Sequence, residues 1–363
     1  MTSWMTRRRG SILRWLASLL ISVALLFYLL SQIELRQLVD TLANLHPPSL
    51  ALFFAISTAG LLARSLRYWA LLDRHVGLWP LMLVTLVRNL FVDLLPARIG
   101  SLSYVYMVTT RCGLPLDEAL ASFFLAFVFD IVAISPLLLL ALLAVGGTLP
   151  AGGWFLGGLA LLLMAGCLVA LYLMGPVLRL FAQALSKVAA RRPGSMSERM
   201  SARMRRLAQN IDSTADQVDA SWQRGVALPV FLISIIVRLC KFGAYYCLLH
   251  AVLVPHGYTW GTLSFPTVFL GIAGAELSAT LPLHSLAGFG TYEAAWTLGF
   301  TQLGMSTEIA IVSGFATHLL SQIHDYGLGL LAFLWLMRPR RAHPQAGTAT
   351  RTGRSEGDSS TAV

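Results

Sequence analysis

Charged residues are scarce in this sequence. Asp, Glu, Lys and Arg make up only 12% of the 363 residues, whereas soluble globular domains carry about 25%. A chain of this length with so few charges has too little polar surface to cover a fold in water. The scarcity therefore excludes an ordinary soluble domain and predicts a protein that resides in a lipid bilayer.

Several chemical motifs are also missing. The four cysteines are dispersed and form no CxxC pair, so we expect buried thiols, no disulfide, no metal site and no cofactor. No phosphate-binding glycine loop and no catalytic constellation is recognised, which argues against an enzyme. The net charge of +10 comes mainly from basic blocks outside the apolar runs, so we predict no nucleic-acid partner.

Long apolar runs dominate the chain instead. A membrane-spanning helix needs about 20 mostly apolar residues. The pattern predicts an all-α polytopic membrane protein with one membrane domain, 1–337, and a disordered tail, 338–363. Within that domain we expect a first half at about 10–175, a cytoplasmic amphipathic linker at about 176–224 and a second half at about 225–337. The runs that reach the required length are residues 12–33, 50–72, 119–145, 154–174, 226–254 and 309–337.

Basic residues predict the orientation of these helices. Four Lys and Arg residues lie in 7–14, before or at the start of the first run, nine lie in 179–224 and five lie in 338–354. Because positively charged loops stay in the cytoplasm, both termini and the linker are predicted to be cytoplasmic. Apolar residues recur every three or four positions from Met200 to Trp222, which predicts a linker helix. It either lies on the membrane surface or packs against the protein's own helices.

The two halves share one pattern. Each has a helix with two cations, a broken apolar stretch, a glycine turn and a long helix that begins with an acidic residue. The opposite orientation of the halves predicts an inverted-topology repeat with two broken or re-entrant helical hairpins, as in many transporters. The predicted helix breaks are at Pro96, Gly100, Pro282, Gly288 and Gly290.

Ionisable residues within the apolar runs are the candidate site. Each costs about 2.5–3.5 kcal/mol at the bilayer centre, so we expect them to pair or to line a hydrated cavity. A guanidinium group binds a phosphodiester at two points, which favours a cavity for a lipid headgroup. Arg88 and Asp325 are further charges in these runs. The predicted cavity residues are Arg64, Arg67, Asp93, Arg98, Asp130, Arg238, Lys241, Glu276 and Glu293.

Specific pairings can be proposed among these residues. Asp130 is a counter-ion candidate for Arg98 or Arg64, and Glu293 for Arg238 or Lys241. A static ion pair is the alternative to a transport role in each case, and Arg64 and Arg67 can instead extend to lipid phosphate. His318 and Asp325 are seven residues apart on one helix face. They predict either a proton relay or a polar contact between helices.

Two short motifs carry a resemblance to a known family. They are Leu95-Pro96-Ala97-Arg98-Ile99-Gly100, and Leu281-Pro282 through Gly288-Phe289-Gly290-Thr291-Tyr292-Glu293, supported by the Gly304-Met305 turn. The chain resembles the flippase-like family related to the transmembrane region of lysylphosphatidylglycerol synthase, over most of residues 10–337. The resemblance implies a bacterial inner-membrane protein that moves phospholipids or lipid-linked molecules between leaflets.

Three functional hypotheses follow. The first is a lipid translocase for an anionic phospholipid or lipid-linked molecule. The second is a membrane-embedded lipid transferase in which Asp93, Asp130 or Glu293 acts as a base. The third is a non-catalytic partner of a lipid-synthesis enzyme, docked through the linker. A homo-oligomer is compatible with each of them.

Overall fold

The computed structural model describes residues 27–94, 100–145, 153–191, 198–278 and 289–338. Within these ranges the chain is helical and contains no β-strand, as the sequence predicts. The helices are α1 (Leu35–Ala43), α2 (Pro47–Leu71), α3 (Leu78–Leu94), α4 (Ser103–Arg111), α5 (Leu116–Val145), α6 (Gly153–Arg191), α7 (Glu198–Gln223), α8 (Ala227–Leu253), α9 (Phe265–Ser278), α10 (Thr291–Gln302) and α11 (Thr307–Met337).

Four helices are long and apolar enough to cross a membrane. They are α2, α5, α8 with the 3₁₀ turn that follows it, and α11, and each covers a predicted span to within one residue. Only 22–39% of the residues in their most apolar stretches are buried within the protein. The remaining apolar side chains need a lipid environment, because water would leave large hydrophobic surfaces exposed. The chain is therefore a multi-pass membrane protein.

The other two predicted spans, 154–174 and 12–33, are not among these four helices. Residues 154–174 lie within α6, which continues without interruption into the predicted linker. Most of 12–33 lies outside the described residues.

The linker helix packs against the protein itself. One face of α7, which includes Ala208, Ala215 and Val218, is buried, and the helix lies against α5 and α6. Arg179 on α6 also forms ion pairs with Asp216 and Asp219 on α7, at 2.9 and 2.6 Å. The structure thus favours intramolecular packing over a helix lying on the membrane surface.

The two halves of the chain interlock. Helix α2 packs along α8, while α3 lies against α11 and α9 lies against α5. Glycine allows close approach at these contacts: a Cβ at Gly60 on α2 would lie 3.1 Å from the Cβ of Cys240 on α8. Small residues at helix contacts are typical of membrane proteins. This packing places residues from four helices near one another in the interior.

Most residues of both predicted helix breaks lie outside the described residues. Residues 95–99 lie between α3 and α4, and residues 279–288 lie between α9 and α10. Pro96, Arg98, Pro282 and Gly288 fall in these gaps, so the shape of each break stays a prediction.

Two of the predicted break glycines, Gly100 and Gly290, are among the described residues. A Cβ at Gly100 would overlap the backbone carbonyl of Phe91, so only glycine fits where the chain folds back onto α3. Gly290 has φ +87° and caps the start of α10. Glycine is therefore favoured at both positions, at Gly100 by the close approach of the Phe91 backbone and at Gly290 by the positive φ angle.

The glycine turns before the long helices are confirmed. Gly113 and Gly304 adopt positive φ angles of 77° and 95°. Helix α5 then begins with Asp117 and Glu118 in its first turn, and α11 carries an acidic residue at the equivalent place. These carboxylates stabilise the helix starts by facing the positive end of the helix dipole.

Candidate functional site

An ion pair between α2 and α5 forms the centre of the candidate site. The Arg67 guanidinium donates from Nη1 to Oδ1 of Asp130 at 2.7 Å and from Nη2 to Oδ2 at 3.2 Å. It also donates to the Ser234 hydroxyl on α8 at 3.2 Å. The Arg67 side chain is only 1% exposed. It therefore points into the protein, which excludes the alternative in which it extends to lipid phosphate.

A second arginine reaches the same carboxylate from α8. Arg238 donates from Nε to the backbone carbonyl of Asp130 at 3.2 Å, and its Nη2 lies 3.4 Å from Oδ1. One partly buried acid thus serves two arginines from different halves of the chain. The bidentate bond to Arg67 is the stronger of the two by geometry.

Two further arginines lie beside this group. Arg64, one turn before Arg67 on α2, donates to the amide oxygen of Asn89 on α3 at 2.9 Å. Arg88 on α3 is near enough to Arg64 for their positive charges to repel each other. Neither arginine has a carboxylate within ion-pair distance among the described residues. We call Arg64, Arg67, Arg88, Arg238 and Asp130 the arginine cluster.

The arginine cluster carries an excess of positive charge. Among the described residues, the four guanidinium groups have one carboxylate within ion-pair distance, that of Asp130, which pairs with Arg67 and Arg238. The Nε atoms of Arg64, Arg67 and Arg88 are buried, and none has a hydrogen-bond partner among the described residues. Buried cations with unused donors are costly unless an anion compensates them. The cluster therefore has the charge and the donors to bind an anion inside the membrane domain.

A separate ion pair connects α8 to α9. Lys241 Nζ lies 2.5 Å from Oε1 of Glu276, and both side chains are partly buried. Lys241 is one turn beyond Arg238, yet its partner is on a different helix from Asp130. The cation pair predicted in the second half is therefore divided between two carboxylates.

Glu293 belongs to a third polar group. Its side chain is 0% exposed, and Oε2 accepts a hydrogen bond from the backbone N–H of Gly290 at 2.6 Å. Its Oε1 lies 2.5 Å from Nδ1 of His318 on α11. The other ring nitrogen of His318 lies 2.6 Å from the Gln322 side-chain amide. Glu293, His318 and Gln322 form a continuous buried chain of polar contacts.

These contacts correct several predicted pairings. Asp130 pairs with Arg67 and Arg238, not with Arg64, because α2 and α8 both pack against α5 at this level. Glu293 pairs with His318 and not with Arg238 or Lys241, because α10 packs on α11.

Of the two alternatives predicted for His318 and Asp325, the structure shows a polar contact between helices for His318. Asp325 contacts the adjacent His324 at 2.9 Å, whereas His318 faces Glu293 on α10. Sharing a helix face did not bring these two residues together, because the neighbouring helix provided a closer acid.

The remaining predicted residues cannot be placed at the site. Arg98 and the side chain of Asp93 lie outside the described residues. In the part of the chain that is described, no group of three His, Cys, Asp or Glu side chains is arranged to hold a metal ion. Sequence reasoning did not select Asn89, Ser234 or Gln322, and it listed Arg88 only as an additional charge.

Comparison with known proteins identifies the family. No curated protein matches the chain. The model of the family described as "Lysylphosphatidylglycerol synthase TM region" matches residues 15–329, which is most of the sequence and includes every residue of the arginine cluster. The chain belongs to the family of the lysylphosphatidylglycerol synthase transmembrane region.

Proposed function

We propose that this protein is a lipid translocase that moves an anionic phospholipid or a lipid-linked molecule between leaflets. The headgroup passes through a polar cavity where α2, α3, α5 and α8 meet, and the acyl chains stay in the lipid. The observation that carries this proposal is the arginine cluster, in which four guanidinium groups lie near one described carboxylate that pairs with only two of them.

The chemistry of the cluster favours a phosphate-containing headgroup. A planar guanidinium donates two parallel hydrogen bonds to phosphate oxygens, and such charge-assisted bonds are about twice as strong as neutral ones. Arg67 already makes a bidentate bond to Asp130, whereas among the described residues Arg64 donates only to the amide oxygen of Asn89 and the buried Nε of Arg88 has no hydrogen-bond partner. Arg64 and Arg88 are therefore the groups assigned to the headgroup.

The helix order supports a transporter architecture. The series of long, short, short and long helices from α2 to α5 recurs from α8 to α11. The packing shows the same correspondence. The second helix of each series lies on the last helix of the other series: α3 lies on α11, and α9 lies on α5. An inverted-topology repeat with two re-entrant hairpins accounts for this correspondence, and in such folds the substrate site lies where broken helices meet.

The distribution of arginines supports a location in the bacterial inner membrane with both termini in the cytoplasm. The linker helix α7 and its neighbourhood hold many of the basic residues outside the apolar runs. An anionic substrate also agrees with this orientation, because the cytoplasmic leaflet supplies acidic lipids.

A leaflet assay tests the proposal. The full chain is reconstituted into vesicles that contain fluorescent phosphatidylglycerol or phosphatidylcholine in both leaflets, and a membrane-impermeant reductant quenches the outer leaflet. Translocation predicts loss of the protected inner signal, faster for phosphatidylglycerol than for phosphatidylcholine. Arg36→Gln is a matched control, because Arg36 lies on the surface helix α1 with a side chain that is 87% exposed. Rates equal to those of protein-free vesicles for every headgroup would refute the proposal.

A further inference from the structure

We infer that the ion pair between Asp73 and Arg224 holds a strained turn between α2 and α3, and that it thereby positions Arg64 and Arg88 for the headgroup. The inference rests on the proposed translocase function and adds two positioning residues outside the arginine cluster. The pair joins the linker helix α7 to the α2–α3 turn, which comprises residues 72–77.

The backbone of the α2–α3 turn is strained at two consecutive positions. Asp73 has φ +49° and Arg74 has φ +61°, in the left-handed region that penalises residues with a Cβ. Among the described residues, no other non-glycine residue has a positive φ, and the five remaining positive-φ positions are glycine. Glycine would adopt the same angles without this cost. A backbone outlier of this kind indicates a role for the side chains that stand in place of glycine.

Both side chains of the strained pair make contacts. Asp73 Oδ2 lies 2.8 Å from Nη1 of Arg224, the residue directly after α7, and Nη2 of Arg224 donates to the buried Ser221 hydroxyl at 3.0 Å. The Arg74 guanidinium lies over the Trp69 ring, 4.8 Å from its centroid. The second contact stays within α2 and its C-terminal turn. The first contact is the one that transmits the position of α7 to the turn.

Backbone hydrogen bonds and buried neighbours define the conformation of the turn. The Arg74 N–H donates to the Trp69 carbonyl at 2.9 Å, and the His75 N–H donates to the Leu72 carbonyl at 3.0 Å. Leu72 and Val76 are buried in a core that also includes residues of α3, α5 and α7. Because buried residues flank the strained pair on both sides, the angle between α2 and α3 follows the conformation of the turn.

The angle between α2 and α3 determines the geometry of the arginine cluster. Arg64 on α2 donates to Asn89 at 2.9 Å, and Asn89 lies 11 residues after Leu78, the first residue of α3. At 1.5 Å per residue, Asn89 is about 17 Å from the start of α3, so a rotation of a few degrees at the turn displaces it and the adjacent Arg88 by about 1 Å. A 2.9 Å hydrogen bond that lengthens by about 1 Å is no longer formed.

The strength of the ion pair sets the size of the expected effects. The side chains of Arg224 and Asp73 are 32% and 54% exposed, so water screens their attraction. Exposed pairs of this kind shift a conformational equilibrium by up to about fivefold. We therefore expect loss of the pair to favour opening of the turn by about two- to fivefold, while the protein stays folded.

Hydrogen exchange of the full chain in detergent tests the role of the pair without any transport. The measured quantity is the protection factor of the backbone amides of residues 72–75, which the native turn holds in hydrogen bonds. Arg224→Gln is expected to lower it about two- to fivefold, whereas Arg224→Lys keeps most of the protection. Arg205→Gln is the matched control, because Arg205 is exposed on the same helix. Protection in Arg224→Gln equal to that in the control would overturn the inference.

A pair of variants at one position separates the ion pair from the strain. Asp73→Ala and Asp73→Gly both remove the carboxylate, but only alanine keeps the penalty of the left-handed conformation. Without the ion pair, the turn with alanine is expected to lose protection as Arg224→Gln does, and the turn with glycine to stay within about twofold of the wild type. Equal loss of protection in the two variants would overturn the inference.

Lipid movement then tests whether the turn positions the arginines. In the vesicle assay, Arg224→Gln and Asp73→Ala are expected to lower the preference for phosphatidylglycerol over phosphatidylcholine about two- to fivefold, whereas Arg224→Lys and Asp73→Gly retain it. A preference unchanged in the variants whose turn has opened would overturn the inference. If the wild type moves no lipid but the exchange results hold, the proposed function fails while the role of the pair in holding the turn stands.

Discussion

The Arg67 guanidinium contacts both carboxylate oxygens of Asp130, at 2.7 and 3.2 Å, although the two residues are 63 positions apart. The same carboxylate is approached by Arg238 from the other half of the chain. Asp130 therefore holds α2, α5 and α8 together electrostatically. Arg64 and Arg88 form no ion pair with this carboxylate, and Arg64 instead donates to Asn89 on α3.

Replacing Asp130 with asparagine is expected to destabilise the protein strongly. The change removes the described counter-ion of the buried Arg67 and the partly buried Arg238, and breaking a buried ion pair in this way costs about 3–5 kcal/mol. The measurement is the thermal midpoint of the full chain in detergent. Asp40→Asn is the control, because Asp40 forms a 3.8 Å pair with Arg36 on the surface and should have little effect. Equal midpoints for the two variants would contradict the structural role of Asp130.

The double variant Arg64→Gln/Arg88→Gln is expected to remain as stable as the wild type or to become more stable. Removing two partly buried cations that repel each other relieves an electrostatic cost, and neither has an ion-pair partner among the described residues. The thermal midpoint in detergent without added lipid measures this effect. A midpoint lowered as far as that of Asp130→Asn would show that these arginines are structural.

The pair of Lys241 and Glu276 should tolerate exchange of its charges. Lys241→Glu or Glu276→Lys alone places two like charges close together, and each is expected to lower the folded yield. The double variant restores an opposite pair between α8 and α9, with a coupling energy of about 0.5–3 kcal/mol. Folded yield and thermal midpoint of all four proteins form a double-mutant cycle. Additive losses would mean that the two side chains do not interact.

Close packing of α3 against α11 makes Gly329 sensitive to substitution. A Cβ there would lie 2.6 Å from the Cβ of Leu90 and 2.9 Å from the carbonyl oxygen of Leu86, so Gly329→Ala should cost about 1–3 kcal/mol. Gly327→Ala is the matched control on the same helix, because a Cβ at that position meets nothing within 4 Å. It should be neutral or slightly stabilising. Thermal midpoints compare the two, and equal values would contradict the described packing.

The sequence was sufficient to predict the helices but not their pairings. A run of 20 apolar residues has few alternatives to a membrane helix, and a glycine followed a few residues later by an acid predicted the helix starts after Gly113 and Gly304, where the structure shows positive φ angles. These are local features. The partner of Asp130 depends instead on how α2, α5 and α8 pack, which no local pattern specifies.

The assignment of His318 illustrates the same limit. Spacing along α11 placed it on one face with Asp325, yet the packing of α10 brings Glu293 within 2.5 Å. The sequence does contain a sign that Arg88 is unusual, because its charge interrupts the apolar run of α3. Its proximity to Arg64 emerged only from the contact between α2 and α3.

The most direct test of the account is the rate at which reconstituted protein moves fluorescent phosphatidylglycerol and phosphatidylcholine, with and without Arg64→Gln/Arg88→Gln. Hydrogen bonds to charged groups contribute about 1.5–3 kcal/mol. The double variant should therefore slow phosphatidylglycerol movement at least about tenfold and remove its advantage over phosphatidylcholine. Unchanged rates and headgroup preference in a folded double variant would contradict the claim that the arginine cluster binds the headgroup.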